Sequence, residues 1–380
     1  MYNSKKDNRN LKILFVSTSY PSNDKDWRAR FSANLVETIS SHNCVNIDIW
    51  APPASYTNQI KDASLPAEAK WLKSLMAQGG IAHILRTKGI RSMPTILRLL
   101  LNLRRVFKRS STTDLVHINW LQNALPLWGI KKPTIISVLG SDYKLLHKPG
   151  MAFLLRSVLK RRKCILAPNA VWMASLLDQV FGDIAEIRPI SFGVDQRWFE
   201  VVRKSFENNP SKWITVSRVT PQKIGPLFEW GKGIFENRNE MHLIGPMQEN
   251  MAFPDWVNYH GPASPDELYK KWFPDATGLI TLSRHAEGRP QVILEAMAAG
   301  LPVVASAIPA HLDVIQHQNT GWIASSTDEF KNAIFSLNES ETNSKIGTAA
   351  RTWIVENIGT WHDCAYRYIN AYRDLLEGDR

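Results

Sequence analysis

The stretch Ala286-Glu287-Gly288-Arg289-Pro290-Gln291-Val292-Ile293-Leu294-Glu295-Ala296-Met297-Ala298-Ala299-Gly300-Leu301-Pro302-Val303-Val304-Ala305 decides how this chain folds. The apolar run before it, Thr277 to Leu282, reads as a buried strand. Gly288 and Pro290 mark a turn. Gln291 to Ala299 is rich in good helix formers, and Gly300 and Pro302 end the helix. Pro302 to Ala305 reads as the next strand. The unit is strand, loop, helix, strand, with seven residues between two glutamates, one on the loop and one in the first turns of the helix.

A helix that starts after a turn presents unpaired N–H groups and the positive end of its dipole, which suits phosphate. Glu295 lies a little over one turn in and is placed to accept hydrogen bonds from a vicinal diol, as acidic residues do for ribose. Glu287, on the loop, reaches hydroxyls at the other end of the same ligand. The plainer alternative is a solvated loop acid and an exposed helix acid.

Outward from this centre the pattern repeats. Leu11 to Ser17 is a β-branched apolar run, Phe31, Leu35 and Ile39 give Phe31 to Ser41 an apolar helix face, and Val45 to Trp50 is a second strand. A βαβ opening implies a parallel sheet covered by helices. Further strands read at 115–120, 134–139, 164–167, 213–217, 241–246 and 257–262. The expected organisation is a Rossmann-like domain over 1–200, a linker over 201–212, a second such domain over 213–358, and a C-terminal helix within 359–380.

A chain of 380 residues is long enough for two domains. Its net charge of +11 implies an anionic partner: nucleotide phosphate, phosphorylated lipid, membrane or nucleic acid. Cys44, Cys164 and Cys364 are scattered without metal spacing and read as thiols of a reducing compartment. Residues 1–10 lack the apolar core of a signal peptide, and no run approaches a membrane span. A cytoplasmic location follows as the expectation. Residues 67–109 interleave ten lysines and arginines with leucine, isoleucine and methionine. Such helices suit an anionic membrane surface, or else a core-facing pair with solvated charges. Asp24-Lys25-Asp26 spells a D-x-D pattern, but two loop acids among basic residues read as surface charge, so no metal site is expected. No RNA or DNA motif appears, which argues against a basic nucleic-acid module.

The stretch from Glu287 to Ala305, continuing through Pro309 to Ile315, resembles the signature of the retaining glycosyltransferases of family 4, within glycosyl transferases group 1. The resemblance implies the GT-B fold, an α/β class of two Rossmann-like domains facing across a cleft, with the C-terminal helix of 359–380 packing back on the first domain. It also implies a nucleotide diphosphate sugar as donor, UDP- or GDP-linked, with no cofactor, and a saccharide or lipid-linked acceptor. It assigns the donor sugar to Glu287 and the ribose to Glu295, with Gly288, Arg289, Pro290 and Gln291 shaping the donor site. Arg218 and Lys223 match an arginine and a lysine that grip the diphosphate. Gly245 ends a strand near the nucleotide base, and Arg284 and His285 precede Glu287. Gly140-Ser141-Asp142 resembles a turn that the family precedes with a histidine, where this chain has Leu139; Asp142 is carried over as catalytic. His117 is a candidate neighbour of that turn, but a lone strand histidine is more often structural. Phe192-Gly193-Val194-Asp195 resembles the Asn-Gly-Val-Asp segment that ends the first domain. The implied role is bacterial surface polysaccharide synthesis at the inner face of the cytoplasmic membrane. A nucleotide-sugar epimerase or a sugar phosphorylase shares the fold and is the alternative.

Overall fold

The computed structural model describes residues 10–377, apart from 24, 25, 27, 58, 141, 205–209, 237 and 286. It divides into two compact units: one runs up to Phe192 and resumes at His362, and the other is the continuous segment Gly193–Trp361.

The first unit is built on seven strands: β1 (Leu11–Val16), β2 (Val45–Trp50), β3 (Ile60–Asp62), β4 (Leu115–Asn119), β5 (Thr134–Val138), β6 (Cys164–Pro168) and β7 (Glu186–Ile187). Their order is β3-β2-β1-β4-β5-β6-β7, every pair parallel. Alternation along each strand supplies both faces. Leu14, Val16, Val116, Ile118, Ile136 and Val138 enter one apolar cluster, with Leu103 and Phe107 from the Met93–Arg109 helix packed on them.

The other face carries a polar knot. His117 is fully buried, with Nδ1 2.6 Å from the Tyr372 hydroxyl and Nε2 2.8 Å from Ser137 Oγ. Ser137 Oγ lies 2.7 Å from the Tyr368 hydroxyl. Both tyrosines belong to the Trp361–Glu377 helix, which thus completes the core of the first unit. Burial pushes the His117 pKa down to about 3, so it is neutral at any working pH. Its role is structural.

The second unit has six strands: β8 (Ser211–Val216), β9 (Asn239–Ile244), β10 (Val257–Tyr259), β11 (Gly278–Thr281), β12 (Val303–Ser306) and β13 (Trp322–Ala324). The order is β10-β9-β8-β11-β12-β13, again all parallel. Ile214, Leu279 and Val303 face one cluster, and Trp213, Ile280 and Val304 face the other. Strand order reverses direction between β8 and β11, the place where open α/β sheets bind ligands.

Two boundaries differ from the sequence expectation. Residues 193–200, read as the end of the first domain, belong to the second unit, where Val194 bridges Thr360 and Trp198 packs on Phe273 with ring centroids 4.7 Å apart. The expected linker over 201–212 is in part core and strand: Val201 is buried, and β8 begins at Ser211. Among the described residues, no helix is long and apolar enough to cross a membrane.

Candidate functional site

The site of the second unit forms where β8 and β11 end. After β8 the chain turns into the short Pro221–Ile224 helix, capped by Thr220, whose hydroxyl accepts from the Lys223 N–H at 3.2 Å. After β11 the loop runs through Ser283 to Glu287. One backbone bond, Arg284 N–H to the Gln222 carbonyl at 2.8 Å, ties the loop to the helix. Gly225 lets them approach. Its φ is +58°, and a Cβ there would lie 1.9 Å from the Leu282 carbonyl oxygen. The approach brings Lys223 Nζ onto Glu287 Oε1 in a charge-assisted hydrogen bond, each side chain about five-sixths buried. Burial acts to raise the Glu287 pKa, and the charge and hydrogen bond of Lys223 outweigh it, so the carboxyl is held below its ordinary value. Burial pushes the lysine down against the same attraction. Glu287 is an ionised acceptor, as hydroxyl recognition requires. Arg218 leaves the end of β8 nearby and donates to Gln248 Oε1 at 3.2 Å.

The Gln291–Ala298 helix follows the loop. Pro290 is its N-cap residue and no side chain caps it, so its first N–H groups are left to other partners. Ile293, Leu294, Ala296, Met297 and Ala298 are fully buried, which fixes the helix against the sheet and the Ser340–Asn357 helix. Glu295 falls on the opposite side, half-buried, and its carboxylate has no hydrogen bond or ion pair among the described residues. Burial, then the nearby charge of Asp195, push its pKa up to about 7, with Arg197 opposing. An unsatisfied, part-desolvated carboxylate of this kind gains most from incoming hydroxyl donors.

Three side chains behind Glu287 carry no signal in strand or helix periodicity. Ser283 Oγ donates to Glu287 Oε1 at 3.2 Å, and Ser306 Oγ donates to the Ser283 carbonyl at 2.6 Å. His311 Nδ1 lies 2.9 Å from the Ser306 carbonyl, which fixes the tautomer with the proton on Nδ1. The resemblance extends over His311, and that extension was the one available clue.

Other expected site residues have different employment. The Arg289 guanidinium is buried against Asp313, with Nε 3.1 Å from Oδ2, so it fastens the loop to the segment after β12. Gln291 Nε2 donates to the Gly193 carbonyl at 2.7 Å. Gly245 adopts φ +147° because a Cβ would meet the Ser217 carbonyl at 1.7 Å; its N–H donates to Gly261 and its carbonyl accepts from the Tyr259 hydroxyl. Gly288 is buried, Arg284 is exposed, and His285 donates its N–H to Ser283 Oγ. In the first unit, Asp142 is buried and both carboxylate oxygens accept backbone N–H groups, from Leu139 at 2.9 Å and Leu121 at 3.0 Å. Burial pushes its pKa up to about 6 against those bonds. Asp142 therefore holds the turn after β5. Gly140 takes φ +103° in the same turn, while Ser141 and Asp24 lie outside the described residues. Asp26 binds Arg28, with Oδ1 to Nε at 2.8 Å.

Residues 248–353 match the model of a known family. That family is glycosyl transferases group 1. The group 1 match takes in Glu287, Glu295 and His311 and leaves Arg218 and Lys223 outside it. No curated protein matches the chain by sequence. Solved structures do match in fold. Sucrose-phosphate synthase from Thermosynechococcus elongatus superposes with a TM-score of 0.73 at 15% identity, over 96% of this chain and 99% of that one. HepE of Anabaena, solved with UDP and glucose, gives 0.64 at 14%, over 95% and 99%. The lipopolysaccharide outer core galactosyltransferase WaaB gives 0.60 at 15%, over 95% and 99%. With its two parallel sheets, the chain has the GT-B fold of these glycosyltransferases.

Proposed function

We propose that this chain is a retaining glycosyltransferase that takes a sugar from a nucleotide diphosphate sugar, UDP- or GDP-linked, and places it on a saccharide or lipid-linked acceptor. The observation that carries the reading is the pairing of Lys223 with Glu287 beside a helix N-terminus, with Glu295 unsatisfied just inside that helix. The diphosphate lies at the N-terminus of the Gln291–Ala298 helix, the ribose hydroxyls donate to Glu295, and the sugar hydroxyls donate to Glu287. Lys223 turns partly from Glu287 to the phosphates and, with Arg218, offsets charge on the leaving diphosphate. The acceptor hydroxyl attacks the anomeric carbon on the face from which the diphosphate leaves. The bond to the diphosphate breaks, and the acceptor proton passes to a phosphate oxygen. No side-chain nucleophile and no metal enter this scheme, and the protein contributes positioning and electrostatics.

The product is a surface polysaccharide built at the inner face of the cytoplasmic membrane. An exposed face of the first unit supports this placement. Met93, Leu97 and Leu101 follow one another at four-residue spacing along the Met93–Arg109 helix, with Leu97 58% exposed and Ile90, just before it, 89% exposed. Arg105 and Lys108 are exposed on the same helix, and Arg86 and Arg91 are exposed on the Gly80–Lys88 helix and the Gly89–Ser92 turn before it. Apolar residues among cations suit the boundary of an anionic leaflet. Not every cation of 67–109 serves it: Arg109 binds Glu68 at 2.8 Å and Arg104 binds the Pro126 carbonyl at 2.9 Å.

A thermal-shift series with UDP, GDP, ADP and their sugar conjugates tests the reading, because a ligand of the folded state raises apparent stability. One nucleotide and its conjugate are expected to stabilise the protein, and Glu295→Ala to abolish the shift. Absence of a shift with all three nucleotides refutes the proposal.

A further inference from the structure

A second cation-rich feature belongs to the first unit. Lys160-Arg161-Arg162-Lys163 precedes β6, and with Lys131 these residues line a cleft of about 870 Å³. The cleft sits at the amino-terminal ends of β6 and β7, closed on one side by Asp374 and Leu375 of the C-terminal helix. Gly140 and Asp142 stand at the other edge of the sheet, where strands end and open α/β sheets bind ligands.

The charge of the cleft is unbalanced. Its three acids are already engaged: Asp183 binds Arg156 at 2.5 Å, and Arg188 binds Glu186 at 2.6 Å and Asp374 at 2.8 Å. Lys131, Lys160 and Arg161 are exposed. Arg162 is different, only 8% exposed, and its hydrogen bonds among the described residues go to backbone carbonyls, not to a carboxylate. Its Nη2 donates to the Val158 carbonyl at 2.9 Å and the Leu127 carbonyl at 3.0 Å, and Nη1 is buried without a partner. The C-terminal end of the Met151–Leu159 helix favours one neighbouring cation, but it does not satisfy that donor. A guanidinium keeps its proton, so a buried one without a counter-charge adds a fixed positive charge behind the exposed cations of the cleft.

We propose that this cleft is a second anion site, for a molecule carrying two or more phosphoryl charges, distinct from the donor site. Guanidinium groups match phosphate oxygens in paired hydrogen bonds, and a cleft of this volume takes more than one phosphate. The phosphate comes either from a free small molecule or from a lipid headgroup, and the two arms of the test separate these sources.

The first arm measures inorganic pyrophosphate by titration calorimetry with UDP saturating the donor site. The second measures co-sedimentation with phosphatidylcholine vesicles that contain phosphatidate. The variant Lys131→Gln/Lys160→Gln/Arg161→Gln changes only exposed side chains. It is expected to weaken pyrophosphate or phosphatidate binding by about tenfold or more. Lys223→Ala is expected to leave that binding intact. The proposal is overturned if wild type binds in neither arm, if the triple variant binds as wild type does, or if Lys223→Ala removes the binding. Failure here leaves the UDP thermal shift untouched, so it does not count against the donor site.

Discussion

Replacing Glu295 with glutamine is expected to make the protein more stable and less able to bind a nucleotide. The carboxyl is pushed up from its ordinary 4.5 to about 7, by burial first and by Asp195 second. The folded state therefore holds this proton more tightly than the unfolded chain does. Its contribution to stability is fully present below pH 4.5, falls as pH rises towards 7, and is flat above. At about 1.4 kcal/mol per pH unit the loss amounts to about 3 kcal/mol at pH 8. Glutamine has no proton to lose. The difference between Glu295→Gln and wild type should be near zero at pH 4.5 and approach that figure at pH 8, in favour of the variant. Chemical unfolding of both proteins in parallel across this range measures it. Binding should move the other way. Hydroxyls that donate to an ionised Glu295 lower its pKa, so nucleotide binding near pH 7 releases a proton, seen by calorimetry in buffers of different ionisation heat. The variant should release none and bind roughly tenfold to a hundredfold more weakly, the value of a hydrogen bond to a charged group. A stability difference that does not change with pH, or unchanged affinity and proton release, refutes the placement of Glu295 in the donor site.

Lys223→Ala and Arg218→Ala should each lower turnover roughly a hundredfold, the scale of losing one transition-state donor, and near-wild-type rates in folded variants would remove them from the mechanism. Gly225→Ala should cost at least ~2 kcal/mol and weaken donor binding, since its φ is left-handed and its Cβ meets the Leu282 carbonyl; an unaltered urea midpoint counts against this account. Transfer should continue in excess chelator, and rescue of a chelated, inactive enzyme by manganese or magnesium would direct attention to Asp24 and Asp26. Sedimentation with anionic vesicles should fall with salt and in Arg86→Gln/Arg91→Gln/Arg105→Gln/Lys108→Gln, because leaflet attraction acts over about one Debye length; equal binding to neutral vesicles would make these ordinary solvated charges.

Most sheet strands were legible because buried parallel strands are continuous, β-branched runs, whereas Ile60–Asp62, Glu186–Ile187 and Trp322–Ala324 are too short to form such a run and were not read. Leu11–Val16, Thr134–Val138 and Gly278–Thr281 each appear in the sequence as such a run. The Glu287 and Lys223 pair was legible only through the family resemblance, since nothing local brings residues 64 positions apart together. Gly225 escaped interpretation because its constraint is the Leu282 carbonyl, which a linear reading does not place beside it. The ion pair of Arg289 was not legible because Asp313, its buried partner, lies 24 positions on. The domain boundary was misplaced for the same reason: the bridge from Val194 to Thr360 is a long-range fact.

The burial of Tyr368 and Tyr372 against His117 bears on how the chain is made. A ribosome delivers the first 192 residues early, yet the imidazole at the centre of that sheet must wait for hydroxyls from the closing helix, some 250 residues later. The second unit, continuous from Gly193 to Trp361, has emerged by then with every strand of its own sheet. The half that is synthesised first is therefore the half that is finished last. Until the Trp361–Glu377 helix emerges, it exposes a sheet face that this helix will cover, a surface suited to a chaperone.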